Sequence, residues 1–177
     1  LLSYEDRWFY HHPGINPFSL VRAFYQLVTY GKIISGGSTL TMQVARLRYP
    51  EYSGGHKGLL GKVFQLVRAL QLEWHFSKQD ILNYYLNHAP FGGTIEGVET
   101  ASRHYFGHSA ERLTYAQAAL LAGLPQAPSY YRPDRHPQRA LKQRNKVLNR
   151  MHNFSVLSNV EVQRALMEGL ALQMNSA

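Results

Sequence analysis

The densest group of reactive side chains lies at positions 5–14 of the chain. Glu5 and Asp6 open this run, which also contains Arg7, two histidines and three aromatic residues. Aromatic neighbours remove water from a carboxylate and raise its proton affinity, whereas a neighbouring cation opposes that rise. Such a carboxylate is suited to act as a general base near neutral pH. A helix end capped by acids and packed by aromatics explains the same run equally well.

A glycine-rich run before residue 40 is the second feature with chemical potential. Gly36 and Gly37 precede Ser38 and Thr39. Glycines that lead into a helix expose backbone N–H groups, and a helix N-terminus favours an anion. The spacing differs from that of a nucleotide-binding P-loop, and no Gly-Lys-Ser/Thr sequence follows. The run therefore indicates either a phosphate site or a capped helix start.

Helices must position both runs, because helix signals dominate the chain and strand signals are weak throughout. Asn16 and Pro17 predict one helix start, and Ser38 or Thr39 caps the next helix. Further helices are predicted at about residues 59–74, after 77–80, up to Gly107, after Thr114, at 137–150 and after Ser158. The glycines between residues 50 and 61 predict a mobile loop. The predicted fold class is mainly α.

Composition limits the class of protein. The chain has 177 residues, 45% of them hydrophobic and 17% charged, which fits one globular domain with a core. It has no cysteine, which excludes disulfides and thiolate metal sites. The formal net charge of +8 suits nucleic acid, an anionic membrane surface or a phosphorylated substrate. Because the chain does not begin with Met, we expect it to be an excerpt of a longer protein.

The two runs belong to an ordered series of motifs. In chain order these are Glu5-Asp6-Arg7-x-Phe9-x-x-His12-x-Gly14, Gly36-Gly37-Ser38-Thr39-Leu40-Thr41-x-Gln43, Lys62 with Ala69-Leu70-Gln71-Leu72-Glu73, Ser77-Lys78-x-x-Ile81-Leu82-x-x-Tyr85-Leu86-Asn87, and Phe91-Gly92 with Tyr105-Phe106-Gly107. The series, extended to about Arg150, resembles the peptidoglycan glycosyltransferases of family 51. Gly61-Lys62 and Ala89-Pro90-Phe91-Gly92-Gly93 resemble the 1C type of class A penicillin-binding protein.

The resemblance implies a fold and a location. It implies a lysozyme-like glycosyltransferase domain over residues 1–150, on the periplasmic face of the cytoplasmic membrane. Residues 18–34 would form a small membrane-associated jaw subdomain, although an ordinary buried helix explains their apolar character as well. Residues 50–61 would be the mobile loop. Residues 151–177 would form a C-terminal helix or the start of a linker, and a transpeptidase domain would follow in the full-length protein.

The resemblance also implies a reaction, the polymerisation of lipid II with release of undecaprenyl pyrophosphate and inversion. In the family's pattern Glu5 is the general base for the attacking hydroxyl. The expected partners are lipid II, the growing lipid-linked glycan and the membrane surface, without nucleic acid. The leaving pyrophosphate needs cations or a metal, Mg²⁺ or Mn²⁺, whereas no organic cofactor is expected. The motif positions expected to bind substrate are Asp6, Arg7, His12, Ser38, Thr39, Gln43, Arg46, Lys62, Gln65 and Lys78.

One position departs from the family's pattern. Gln65 stands where the third motif usually carries a second carboxylate, and an amide has no charge with which to hold a metal. Glu73 lies two helical turns further on, roughly on the same face, and its role stays open. Two alternative functions therefore remain. One is a lysozyme-like hydrolase, which needs a second carboxylate, and the other is a non-catalytic lipid II-binding module, which Gln65 favours.

Overall fold

Helices account for most of the chain. The computed structural model describes residues 1–30, 38–50 and 59–173. The helices are α1 (Leu2–Glu5), α2 (Pro17–Tyr30), α3 (Leu40–Arg48), α4 (Leu59–His75), α5 (Lys78–His88), α6 (Val98–Phe106), α7 (Tyr115–Gly123), α8 (Pro128–Tyr131), α9 (Pro137–Asn153) and α10 (Asn159–Met167). Short 3-10 turns lie at Phe9–His11, Ala110–Arg112 and Leu124–Gln126. The predicted mainly α class is confirmed.

Three predicted features lie wholly or partly outside the described residues. They are the pair Gly36-Gly37, the last residues of the predicted jaw segment at 31–34, and most of the predicted mobile loop at 50–61. The structure therefore describes the helix that precedes the glycine pair and the helix that follows it.

The chain divides into two compact units. The N-terminal unit comprises residues 5–85, and the C-terminal unit combines residues 1–4 with residues 86–177. In the N-terminal unit α3 packs against α4. Its buried apolar side chains are Phe9, Leu40, Met42, Val44, Ala45, Ala69, Leu72, Ile81 and Tyr85. Because Leu40 and Val44 are four residues apart, they face the core together and fix the rotation of α3.

The C-terminal unit is built on the contact between α7 and α9. Its core consists of Tyr4, Ala116, Ala119, Ala122, Val147, Leu148, Leu157, Val162 and Ala165. Small alanine side chains on α7 let the two helices approach closely. Helices begin after Thr114 and after Ser158 as predicted, and capping boxes with Gln117 and with Glu161 stabilise these two starts.

A two-stranded hairpin interrupts the helices of the C-terminal unit. Strand β1 (Pro90–Gly92) pairs antiparallel with β2 (Ile95–Glu96). Gly92 ends β1 and Gly93 begins the turn, with φ values of 118° and 59°, which residues other than glycine rarely adopt. The sequence predicted only a helix break at these glycines, because strands of two or three residues are too short to show an alternating pattern.

Helix α2 carries large apolar side chains on its exposed surface. Phe18 is 87% exposed, and Val21, Tyr25, Val28 and Tyr30 are each more than 60% exposed. Several exposed apolar side chains along one helix can together contact another surface. Across the described ranges, no helix combines the length and the apolar character needed to cross a bilayer.

Candidate active site

The Glu5 carboxylate is oriented by an amide from helix α3. Gln43 Nε2 donates a hydrogen bond to Glu5 Oε2 at 3.0 Å. The other end of the same amide, Gln43 Oε1, lies 3.5 Å from the Tyr85 hydroxyl. Burial raises the pKa of Tyr85, and the negative charge of Glu5 raises it further. Glu5, Gln43 and Tyr85, from three separate motifs, therefore form one connected group.

Asp6 is used within the protein, although it is adjacent to Glu5. His12 Nε2 donates to the two Asp6 carboxylate oxygens at 2.9 and 3.1 Å, and both side chains are buried. The backbone N–H of Leu40 donates to Asp6 at 2.8 Å. A carboxylate at this place satisfies a free helix N–H and interacts favourably with the helix dipole. Asp6 thus fixes the Glu5–Gly14 loop to the start of α3.

Thr39 makes a second connection between the same loop and α3. Its hydroxyl accepts from the Met42 backbone N–H at 3.2 Å as an N-cap and donates to the Gly14 carbonyl at 2.5 Å. Of the two interpretations of the glycine-rich run, the structure shows the capped helix start. The N–H groups of Leu40 and Met42 are occupied by protein oxygens.

Lys62, Arg46 and the Ser38 hydroxyl form a polar cluster near the starts of α3 and α4. Lys62 Nζ, near the start of α4, donates to Ser38 Oγ at 2.9 Å. Burial lowers the pKa of Lys62, and the positive charge of nearby Arg46 lowers it further. Because each cation disfavours the charge on the other, the cluster would be stabilised by a bound anion.

Lys78 and Glu73 form an ion pair that connects several elements of the N-terminal unit. Lys78 Nζ lies 2.6 Å from Glu73 Oε1, 2.7 Å from the His12 carbonyl oxygen, and 4.5 Å from the centre of the Phe9 ring. Glu73 also accepts from the Thr41 hydroxyl at 2.5 Å. The open role of Glu73 is thus structural, because it joins α4 to α3 and to the start of α5.

Two of the predicted site residues have fewer described contacts. Arg7 is exposed, with its guanidinium 5.6 Å from the centre of the Trp8 ring. Gln65 is half-buried on α4. Their assignment to substrate binding stays a prediction.

A cavity of about 630 Å³ lies beside the same loop. Its lining residues are Trp8, His11, His12, Pro13, Asn16, Pro17, Phe18 and Arg22. Aromatic walls with imidazole and guanidinium groups suit a ligand that has both apolar and anionic parts.

Comparison with known proteins identifies the family. The family model described as Transglycosylase matches residues 1–152. The chain belongs to the transglycosylase family. The family assigned from the motif series is therefore confirmed.

The relatives of this transglycosylase domain are bacterial penicillin-binding proteins. It is 56% identical to penicillin-binding protein 1C of Escherichia coli over 97% of its length, which covers 22% of that relative. It is 38% identical to penicillin-binding protein 1A of Aquifex aeolicus over 96% of its length, which covers 23% of that protein. The chain thus spans about a fifth of the length of the curated relatives it matches. The higher identity to the 1C protein agrees with the 1C-type prediction.

A solved structure supports the same relationship. The crystal structure of penicillin-binding protein 1A from Haemophilus influenzae superposes with a TM-score of 0.54 and 38% identity. The match covers 56% of this chain and 15% of that protein. The transglycosylase therefore shares its fold with a relative of known structure.

The described acidic side chains of the transglycosylase do not form a set that would hold a metal ion. Within the described ranges, no group of three or more His, Cys, Asp or Glu side chains could hold a metal ion. Asp6 and Glu73 are already engaged by His12 and Lys78, and Gln65 brings no charge.

Sequence reasoning missed two participants in the site. Tyr85 and Thr41 belong to the motif series, but the sequence predicts no role for either. Tyr85 contacts Gln43, and Thr41 contacts Glu73. A polar group on an otherwise apolar helix face was the available signal, because such a group needs a partner when it is buried.

Proposed function

We propose that this domain is a peptidoglycan glycosyltransferase that polymerises lipid II, with Glu5 as its general base. In the reaction the 4-hydroxyl oxygen of one disaccharide bonds to the anomeric carbon of a second, lipid-linked unit. The bond from that carbon to the pyrophosphate breaks, and undecaprenyl pyrophosphate leaves with the electron pair. The hydroxyl proton passes to the Glu5 carboxylate.

The observation that carries the proposal is the hydrogen bond from Gln43 to Glu5. It fixes one carboxylate oxygen at 3.0 Å from a neutral donor. A neutral amide orients the carboxylate and leaves it able to take a proton, whereas a bound cation would reduce its basicity. Glu5 belongs to the first motif and Gln43 to the second, so the contact explains why the two motifs occur together.

The cluster of Lys62, Arg46 and Ser38 suits the leaving group. Pyrophosphate gains negative charge as its bond to the sugar breaks, and oriented donors stabilise that charge. Lys62 has a lowered pKa because it is partly buried and near Arg46. An anion between the two cations relieves their repulsion, so the cluster interacts more strongly with the departing group than with a neutral sugar.

A hydrolase of the two-carboxylate type has less support. Such an enzyme needs a second carboxyl group facing the first across the glycosidic bond. In the described part of the N-terminal unit the other acids are Asp6, Glu73 and Asp80, and each is bound to protein groups. Glu51 lies outside the described residues. A pyrophosphate leaving group requires less acid assistance than a sugar alcohol does, which suits a transferase with one carboxylate.

We further propose that α2 contacts the membrane as part of a jaw subdomain. The exposed Phe18, Val21, Tyr25 and Val28 recur at helical spacing, and the chain is basic overall. Apolar side chains on one face combined with positive charge favour the surface of an anionic bilayer. We place the domain on the periplasmic face of the cytoplasmic membrane, joined in the full-length protein to a transpeptidase domain.

Incubation of the purified domain with labelled lipid II tests the proposal. Long glycan strands are the expected product. Short hydrolysed products would support the hydrolase, and binding without turnover would support the lipid II-binding module. Either of these two outcomes would contradict the proposed activity.

A further inference from the structure

The exposed face of α9 carries two parallel rows of polar side chains. Lys142, Lys146 and Arg150 form one row, and Asn145, Asn149 and Asn153 form the other. Residues four apart lie one above the other on a helix, so each row is a ridge along the helix axis. Together with Phe154, the six side chains line an open groove of about 650 Å³. By the rise of 1.5 Å per residue, each row is about 12 Å long.

The groove is positively charged and its charges are not neutralised locally. Helix α9 contains no acidic residue from Pro137 to Asn153. Lys142, Lys146 and Arg150 are exposed, and none of the ion pairs found among the described residues involves them. Like charges four residues apart on one helix face destabilise the helix slightly. An anionic ligand would remove that repulsion.

Two contacts fix the orientation of groove side chains. The buried Arg144 donates to Asn145 Oδ1 at 3.0 and 2.9 Å, which leaves the NH₂ of Asn145 as the group available to a ligand. The Arg150 guanidinium lies 5.5 Å from the centre of the Tyr4 ring and 5.6 Å from that of Phe154. Side chains that are already ordered lose less entropy when a ligand binds.

We propose that this groove binds a carboxylate-bearing glycan strand, the polymer product of the reaction proposed above, on which this inference rests. The cationic row suits the carboxylates of the strand. The asparagine row can both donate to and accept from hydroxyl and acetamido groups. A phospholipid surface matches this face less well, because uncharged amides add little there and Phe154 is the one apolar side chain that lines the groove.

Affinity at the proposed site depends on carboxylates that repeat along the strand. One exposed ion pair contributes little to binding, so a single carboxylate binds weakly. A strand with regularly placed carboxylates engages several cations at once, and each contact after the first is intramolecular. The groove should therefore bind long strands and discriminate against the monomeric building unit.

Binding of preformed strands tests the inference without requiring catalysis. The probe is soluble, uncross-linked peptidoglycan with intact stem peptides, fluorescently labelled, and added to the 177-residue chain carrying Glu5→Gln. Adding Lys142→Gln and Lys146→Gln should raise the Kd about three- to tenfold at low salt, since two surface contacts are lost. Strands whose carboxylates have been converted to amides should bind the chain that retains both lysines as weakly as unmodified strands bind the lysine double variant.

A control double variant removes two positive charges at other positions. Arg112 and Arg164 are exposed in the same unit, and Arg112→Gln with Arg164→Gln should leave the Kd unchanged. An equal loss of affinity in the two double variants, or no loss of affinity in the lysine double variant, would overturn the inference. The inference would also be overturned if the lysine substitutions weakened binding to phosphatidylglycerol vesicles but did not weaken binding to glycan strands. If the unsubstituted chain does not polymerise lipid II but strands still bind through the two lysines, the proposed function is wrong and the proposed strand-binding groove is retained.

Discussion

At the scale of single residues, the chemistry depends on what keeps the Glu5 carboxylate charged and oriented. Gln43→Leu removes the 3.0 Å hydrogen bond to Glu5 with little change in volume. A hydrogen bond to a charged group contributes about 1.5–3 kcal/mol, so kcat for polymerisation should fall roughly 10- to 100-fold.

Tyr85→Phe is the matched comparison for Gln43→Leu. It removes the hydroxyl that lies 3.5 Å from the far end of the amide, a longer and weaker contact. Its effect on kcat should be under about threefold. An unchanged kcat in Gln43→Leu would show that the amide does not position the base.

Lys62 gives a second residue-scale prediction, on the pH dependence of pyrophosphate binding. Burial and Arg46 lower the pKa of Lys62, so it loses its proton at a lower pH than an ordinary lysine does. Affinity for inorganic pyrophosphate should therefore fall as the pH rises through that lowered pKa, and binding should be accompanied by proton uptake. Calorimetry in buffers of different ionisation enthalpy measures both quantities.

Lys62→Arg is the control for this titration, because a guanidinium stays charged at every accessible pH. Pyrophosphate binding to that variant should lose most of its pH dependence between neutral and alkaline conditions. The same pH dependence in both proteins would exclude Lys62 as its source.

Motif position predicted residues that gather near Glu5, whereas their contacts within the protein are known only from the structure. Asp6, His12 and Thr39 were assigned to substrate binding, and the structure shows them joining the Glu5–Gly14 loop to α3. Their partners are up to 34 residues away in the chain, and sequence spacing does not show such contacts. A role in substrate binding stays a prediction for each of them.

At the scale of elements, the ion pair of Lys78 and Glu73 should matter for stability. Lys78→Met leaves Glu73 without its cation in a largely buried place and also frees the His12 carbonyl. Loss of one partner of a buried pair should lower the free energy of unfolding by about 2 kcal/mol or more. At this chain length that corresponds to a decrease of about 4–8 °C in Tm.

Lys146→Met serves as the stability control, since this lysine is exposed on α9. Its Tm should change by less than about 2 °C, as is usual for surface substitutions. If Lys78→Met kept the wild-type Tm and raised only the KM for lipid II, the predicted substrate-binding role would be favoured over the structural one.

Helix positions were predictable where local signals were strong. The helix expected at about 59–74 is α4 (Leu59–His75), and the helix expected at 137–150 is α9 (Pro137–Asn153). Caps and prolines mark such boundaries in the sequence itself. The hairpin of β1 and β2 was missed, because its two short strands depend on each other and on glycines with positive φ.

At the scale of the whole molecule, metal dependence follows from the distribution of donors. No cluster of metal-binding side chains occurs anywhere in the described ranges, and Gln65 replaces the family's second carboxylate. We expect chelation to reduce polymerisation only slightly, and Gln65→Glu to increase the response to Mg²⁺ or Mn²⁺. Activity that is abolished by chelation and restored by Mg²⁺ in the unsubstituted chain would contradict this expectation.

The most direct test of the account is polymerisation of lipid II by Glu5→Gln. This isosteric change retains an oxygen that can accept from Gln43 but removes the charge that takes the proton. We predict no glycan strands, with Tm and lipid II binding close to those of the unsubstituted domain. Near-normal strand synthesis by this variant would show that Glu5 is not the base.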